Sequence, residues 1–198
     1  MAHSISTMPF DAFHRALGPG DKYRDLDDEA IERLSARLPA ELMELLRSDG
    51  LCRYGGQLFF TVDDKDFEPA RLAWVPNVPD ATIFGRTALG TLYLWVPEEE
   101  AGGVHVLMPH IGRVSLLGTD ITWFFDGTLT DKVYIDDGLL RGWTAKAEQH
   151  AGRLEWDEMY GYEPALALGG RGRVEAIRRF KMNEHQLLLS QLQELQEL

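Results

Sequence analysis

Six short apolar runs between residues 56 and 117 place the strongest constraint on the fold of this chain. They are rich in β-branched and aromatic residues, are separated by Gly, Pro or Asp, and read in order GQLFFTV, RLAWV, ATIFGR, TLYLWV, GVHVLM and GRVSLL. Runs of this length between turn residues are typical of β-strands. Gly90 and the segment EEEAGG at residues 98–103 mark tight reversals, which predicts an antiparallel meander.

The run Thr91–Val96 indicates how the sheet is buried. Its side chains alternate between the pair Leu92 and Leu94 and the pair Tyr93 and Trp95. Successive side chains of a strand point to opposite faces, so both faces of this strand are apolar. We therefore predict a central strand that is covered on both sides.

Helical patterns lie before and after the strands. Asp27 precedes a first helix, and Pro39 begins a second that Gly50 ends. After the strands, Asp136 is predicted to cap a longer helix, and Asn183 opens the last helix in the manner of a capping box. This order predicts an α+β fold with N-terminal helices, a central antiparallel sheet of about five to seven strands covered by helices, and a C-terminal helix.

The run WDEMYGYEPALALGG at residues 156–170 is the most distinctive segment of the chain. We interpret it as a strand-and-turn element in which residues 165–168 alternate within a sheet and Gly169 releases the chain toward the last helix. It contains no nucleophile–base pair and no metal-ligand spacing. Its composition favours a structural or binding role over a catalytic one.

The charge balance favours basic partners. The formal net charge is −12, from 32 acidic and 20 basic residues. A field of this sign repels nucleic-acid phosphate and attracts basic proteins, although acidity also serves solubility alone.

The single cysteine and the lack of a recognisable secretory or membrane-spanning pattern predict a soluble cytoplasmic protein. Cys52 is the only cysteine, which excludes an intramolecular disulfide and zinc sites that need two cysteines of this chain. The N-terminal stretch MAHSISTMPF lacks the pattern of a secretory signal, and no window approaches the ~20 apolar residues of a membrane span.

The sequence gives little support for a catalytic or metal-binding site. His105 and His110 could bind a metal with Asp120 or Asp126, but their spacing places the two histidines on opposite faces of a strand. The segment GGRGR at residues 169–173 precedes no Walker lysine and is interpreted as a loop. A carboxylate cluster of the glycosidase kind is interpreted as a solvated face: Glu155, Asp157, Glu158 and Glu163. We predict no catalytic residue, no metal and no cofactor.

Two charge patterns remain after this search. The acidic loops DDKDFE (63–68) and EEE (98–100) are expected to converge on one rim of the sheet. The basic stretch RGRVEAIRRFK (171–181) is expected to pair internally with the abundant acids, because its charge is small against that of the whole chain.

Several segments resemble a bacterial family. FHRALGPG, LPAELMELLRSDGL and GGQLFFTVDDKDFEP resemble a GAD-like domain. ATIFGRTALGTLYLW, VHVLMPHIG, DEMYGYEPALALGG and NEHQLLLSQL resemble that family together with the C-terminal domain of immunity proteins of type VI secretion DNase effectors. We therefore predict a GAD-like part at residues 1–75 and an immunity-protein-like part at residues 76–198, joined in one compact unit.

The resemblance implies that the protein neutralises a cognate toxin, a basic nuclease, by direct binding. It transfers no contact residues, so these are predicted from charge and aromatic character. The residues expected to contact the toxin are Asp63, Asp64, Asp66, Glu68, Glu98, Glu99, Glu100, Asp157, Glu158, Tyr160 and Tyr162. Reversing the charge of the first three together is expected to slow association.

Two alternatives come from other functional classes. The basic stretch at residues 171–181 would serve a DNA-associated regulator. Tyr160, Tyr162, Trp143 and His110 would line the pocket of a small-molecule-binding domain or enzyme.

Overall fold

An eight-stranded sheet forms the centre of the molecule in the computed structural model, which describes residues 10–97 and 102–197. Its strands in spatial order are β1 (Asp21–Arg24), β2 (Leu51–Tyr54), β3 (Phe59–Thr61), β4 (Thr82–Arg86), β5 (Leu92–Val96), β6 (Gly103–Met108), β7 (Arg113–Gly118) and β10 (Gln196–Glu197). The first seven pair antiparallel with their neighbours in sequence, and β10 pairs parallel with β7. The predicted antiparallel meander is confirmed. Because β3 pairs with β4, this sheet runs across residue 75.

A two-stranded hairpin and seven α-helices surround this sheet in the described part of the chain. The hairpin consists of β8 (Glu158–Tyr162) and β9 (Ile177–Lys181). The helices are α1 (Asp11–Leu17), α2 (Asp28–Ser35), α3 (Ala40–Asp49), α4 (Glu68–Trp74), α5 (Ile121–Asp126), α6 (Arg141–Ala151) and α7 (Met182–Leu192). Within the described ranges, no helix is long and apolar enough to cross a bilayer.

The two faces of the sheet pack into two separate cores. Tyr93 of β5 lies in the first core, to which α1, α3 and α5 contribute Phe13, Leu42 and Phe125. Leu92, the preceding residue of β5, lies in the second core with α4, α6, α7 and the β8–β9 hairpin. The prediction of a strand covered on both sides is confirmed.

The prediction of a strand at RLAWV is wrong, because these residues belong to α4. Pro69 occupies the first turn of that helix, a position that suits its fixed φ and missing N–H. Phe67, Ala70 and Trp74 are buried at helical spacing. A short apolar run does not by itself distinguish a buried strand from one face of a short helix.

The predicted strand at residues 165–168 is also wrong. Leu166–Leu168 form a single 3₁₀ turn, and the Gly170 N–H donates to the Ala165 carbonyl oxygen at 3.0 Å. Gly169 has a φ of 81°, which favours glycine. The chain therefore folds back on itself where the alternation of Ala and Leu predicts an extended strand.

Two predicted helix starts also differ from the structure. Residues 134–138 form a π-helical turn, and α6 begins only at Arg141, after Leu140 in a left-handed conformation. The side chain of Asn183 does not cap α7; it donates instead to the Asp66 carbonyl oxygen at 2.8 Å. At the start of α7, a tertiary contact thus replaces the local capping that the sequence favours.

Candidate partner-binding surface

The carboxylates of the turn between β3 and α4 are tied to arginines. Asp63 accepts from Arg33 of α2 at 2.5 Å and caps the turn by accepting from the Lys65 N–H. Asp66 pairs with Arg24 of β1. Their side chains are 9% and 20% exposed. These two acids therefore link the turn to β1 and α2.

Asp64 is the most deeply buried acid of this turn, with 6% of its side chain exposed. It accepts from the Ile83 N–H at 2.8 Å and lies 3.8 Å from Arg37 and 4.0 Å from Arg71. Burial raises the pKa of its carboxyl, while the hydrogen bond and the arginines act in the opposite direction. Glu68 differs from Asp64 in exposure: it lies 3.7 Å from Arg71, but its side chain is 57% exposed.

The second predicted group of acids pairs with the basic stretch. Asp157 accepts from Lys181 at 2.8 Å, and Glu158 lies 3.4 Å from Arg179. Arg178 lies 3.3 Å from Glu163. The prediction that this basic stretch pairs internally is confirmed for these three residues.

Arg171 and Arg173 are the exception within the basic stretch, because neither forms an ion pair in the described ranges. They line an open concavity together with Glu163 and Glu175. Charges of both signs therefore face this concavity.

The two tyrosines predicted to contact a partner are buried. Tyr160 donates to the Gly152 carbonyl oxygen at 2.7 Å and accepts from Gln57 at 3.2 Å. Tyr162 accepts from the indole N–H of Trp143 at 2.7 Å. Both side chains hold β8 against its neighbours, with exposures of 0% and 8%. Glu98, Glu99 and Glu100 lie outside the described residues.

His110 lies in the turn after β6, packed between aromatic rings. Its ring centroid is 5.2 Å from that of Tyr162 and 6.2 Å from that of His185. Burial, followed by the neighbouring His185, lowers the pKa of His110 to about 4. Burial also lowers the pKa of His185. Trp143, Tyr162 and His110, predicted to line a pocket, are thus brought together but pack against one another.

Apolar side chains face solvent in the segment that follows β7. Trp123 is 69% exposed, the highest value among the large apolar side chains of the described residues, and Val133 and Leu140 are 66% and 40% exposed. We name residues 120–140 the α5 segment. Exposed tryptophan is uncommon on a free surface and common at the centre of protein interfaces.

The inner side of the α5 segment is fixed in the first core. Phe124 lies 5.2 Å from Tyr93 between ring centroids, and Phe125 lies 5.1 Å from Phe13 and 5.8 Å from Phe59. Leu129, Ile135 and Leu139, farther along the segment, are buried in the same core.

Hydrogen bonds add to this anchoring. Asp126 accepts from the Phe13 N–H at 3.0 Å, which joins α5 to α1. Asp131 accepts from the Tyr134 N–H at 2.8 Å, and the hydroxyls of Tyr134 and Tyr93 lie 3.0 Å apart. Burial raises the pKa of Tyr134 to about 12, so its hydroxyl is neutral at physiological pH.

Trp123 is held by the backbone beneath it. Asp120 caps α5 by accepting from the N–H groups of Thr122 and Trp123, at 2.7 and 3.0 Å. A Cβ at Gly127 would lie 2.8 Å from Cδ2 and Cε2 of the indole. The indole therefore lies directly over Gly127, and a larger residue there would displace it.

The α5 segment is acidic. Residues 120–138 contain five carboxylates and one basic residue, Lys132. Asp136 pairs with Lys132 and lies 3.5 Å from Arg141. Asp131 and Asp137 are exposed and form no ion pair within the described ranges.

The sequence contains a signal for this surface that charge reasoning missed. In DITWFFD, Ile121, Phe124 and Phe125 are spaced to face one side of a short helix. That spacing leaves Thr122 and Trp123 on the other side, where a tryptophan has no core to enter. The structure shows this arrangement.

Two family models match the chain. Residues 9–108 match the GAD-like domain. Residues 120–193 match the C-terminal domain of the T6SS immunity protein Tdi1. The second range contains the whole α5 segment. No curated protein matches the chain.

A solved structure has the same fold. It is the crystal structure of Atu4351 from Agrobacterium tumefaciens, which superposes with a TM-score of 0.76 over 95% of this chain and 91% of that chain. The sequence identity is 15%, so the likeness concerns the fold alone.

Proposed function

The chain belongs to the GAD-like domain family, and from this premise we propose that it is an immunity protein that binds and neutralises a cognate bacterial toxin. The observation that carries the proposal is the match of residues 120–193 to the C-terminal domain of a type VI secretion immunity protein. This range supplies α5, α6, the β8–β9 hairpin and α7.

The negative net charge of the chain suits a basic partner, and we propose that the toxin is a nuclease. A nuclease needs a basic cleft to hold the phosphate backbone of its substrate. A protein of net charge −12 is attracted to such a cleft, which speeds encounter. Neutralisation would follow from covering the substrate site or displacing catalytic elements of the toxin in the cytoplasm.

Rescue of intoxicated cells tests the proposal. Each gene neighbouring this one is expressed alone in a laboratory host, and a product that kills is then expressed together with this protein. We expect survival and co-purification of the two chains. If no neighbouring product is both lethal and neutralised by this protein, the proposal is wrong.

Stoichiometry separates a binding protein from an enzyme. In a DNA-cleavage assay with the purified toxin domain, we expect residual cleavage to fall linearly and to end at equimolar protein. An enzyme that modifies the toxin would abolish cleavage at a small fraction of that amount, with a rate that depends on time. This second outcome would contradict a purely stoichiometric mechanism.

A further inference from the structure

We infer that the α5 segment is the toxin-binding surface, with the Trp123 indole inserted into an apolar pocket of the toxin and the surrounding carboxylates facing basic residues at the rim of that pocket. This inference rests on the proposed function and assigns it to particular residues. It moves the expected contacts from the paired acids near residues 63–68 to a surface whose side chains are exposed.

Trp123 is exposed on a helix whose two ends are fixed. Trp123 is 69% exposed, while its helix neighbours Phe124 and Phe125 are 2% and 0% exposed. The Asp120 cap and the hydrogen bond from the Phe13 N–H to Asp126 fix both ends of α5. A large apolar side chain on a fixed helix binds at a small cost in conformational entropy.

The second argument is the position of the indole. The indole packs on one side against Gly127, where a Cβ would lie 2.8 Å from its ring atoms, and presents the rest of its surface to solvent. Tryptophans of this kind are enriched among the few residues that supply most of the affinity at protein interfaces.

The α5 segment exposes other apolar side chains besides Trp123. Leu129, Ile135 and Leu139 face the first core, which leaves Val133 and Leu140 on the solvent side of the same segment. Leu140 has a φ of 54°, a left-handed conformation that is costly for a leucine. Trp123, Val133 and Leu140 are thus three exposed large apolar side chains on this one segment, and exposed apolar side chains are typical of binding surfaces.

The fourth argument is charge, which selects the occupant. A second copy of this chain would bring the exposed Asp131 and Asp137 of both copies toward one another, and like charges at an interface oppose association. A basic partner would meet Asp131 and Asp137 with opposite charge. The surface therefore fits a basic toxin better than a second copy.

The test compares two single substitutions of exposed side chains. Trp123→Ala removes the indole, and Leu72→Ala on α4 removes a side chain that is 48% exposed in the GAD-like part. The probe is the purified toxin domain whose killing the wild-type protein suppresses. We expect Trp123→Ala to raise the Kd by ~30-fold or more and to abolish rescue, as removal of a central tryptophan does elsewhere. Leu72→Ala should change the Kd by less than about threefold.

Further measurements exclude a folding defect and a second copy. Both variants should keep the wild-type thermal midpoint, and Trp123→Phe should recover part of the affinity. Wild-type binding that Trp123→Ala leaves unchanged would overturn the inference while the proposed function stands. Sedimentation of the wild type as a dimer that Trp123→Ala dissociates would also overturn it, because the occupant would be a second copy. Failure of the wild type to bind any toxin would instead refute the proposed function.

Discussion

The acid-rich turn at residues 63–68 and the acid-rich α5 segment carry the same type of side chain in different surroundings. In the turn, Asp63 and Asp64 have side chains that are 9% and 6% exposed and lie beside arginines. In the α5 segment, Asp131 and Asp137 are exposed, and an exposed tryptophan lies among the carboxylates. Acidic sequence alone does not separate these two cases, because the difference depends on which basic residues the fold brings near.

The position of α2 explains the difference. This helix places Arg33 beside Asp63, and the residues just after it place Arg37 near Asp64. Burial of a carboxylate is tolerated only when hydrogen bonds or opposite charges compensate for lost hydration. Asp63, Asp64 and Asp66 are therefore part of the structure, while Asp131 and Asp137 of the α5 segment are exposed and form no ion pair within the described ranges.

The largest expected effect comes from removing the buried acid of the turn. Asp64→Ala leaves the Ile83 N–H without its acceptor and removes a carboxylate from beside Arg37 and Arg71, and we expect a loss of about 3–5 kcal/mol in the free energy of unfolding. Urea unfolding measures it. The matched control Glu68→Ala removes a side chain that is 57% exposed and should cost less than about 0.5 kcal/mol.

Equal losses in the Asp64→Ala and Glu68→Ala variants would contradict the distinction between buried, paired acids and exposed acids. The result would show that burial of Asp64 contributes nothing beyond what an exposed acid contributes. The same reasoning changes the expected result of reversing Asp63, Asp64 and Asp66 together. Such a variant should fail to fold, so it cannot report on association.

Acid should act next most strongly, through the buried histidine His110. The pKa of His110 is about 4 in the folded protein and about 6.5 in an unfolded chain. As the pH falls from about 6.5 to 4, the unfolded state takes up a proton that the folded state does not, so stability falls. We expect a loss of about 2.5 kcal/mol over this window from this group.

Substitution of the histidine isolates that contribution. The His110→Gln variant should show a flatter decline of the unfolding free energy between pH 6.5 and 4 than the wild type. His150→Gln replaces an exposed histidine at the end of α6 and should leave the slope unchanged. If His110→Gln has the slope of the wild type, proton uptake by His110 on unfolding does not cause the decline.

The smallest expected effect concerns the exposed acids beside Trp123. Asp131→Asn combined with Asp137→Asn keeps an oxygen that accepts from the Tyr134 N–H but removes two charges. We expect association with the toxin to slow by a few-fold at low salt, with little change in dissociation. Stopped-flow kinetics at several salt concentrations measures this, with Glu41→Gln on α3 as the control. An unchanged salt dependence of the association rate would show that these acids do not contribute to the encounter with the toxin.

The local patterns of the sequence account for much of the fold. The alternation of Leu92, Tyr93, Leu94 and Trp95 predicts a central strand that separates two cores, and the structure confirms it. The RLAWV run fails because a short apolar run fits a strand or a buried helical face equally well. Residues 165–168 fail because Gly169 and Gly170 let the chain turn back onto Ala165, an option that alternation alone does not reveal.

The sequence by itself determined the α+β order, the antiparallel meander, the excess of negative charge and the motifs that place the chain in its family. These features depend on neighbouring residues or on composition, which the sequence contains directly. Only the tertiary structure decided which acids are paired, which tyrosines are buried and that Trp123 faces solvent. Those outcomes depend on contacts such as Arg33 with Asp63 and Phe13 with Asp126, whose partners lie 30 and 113 residues apart in the chain.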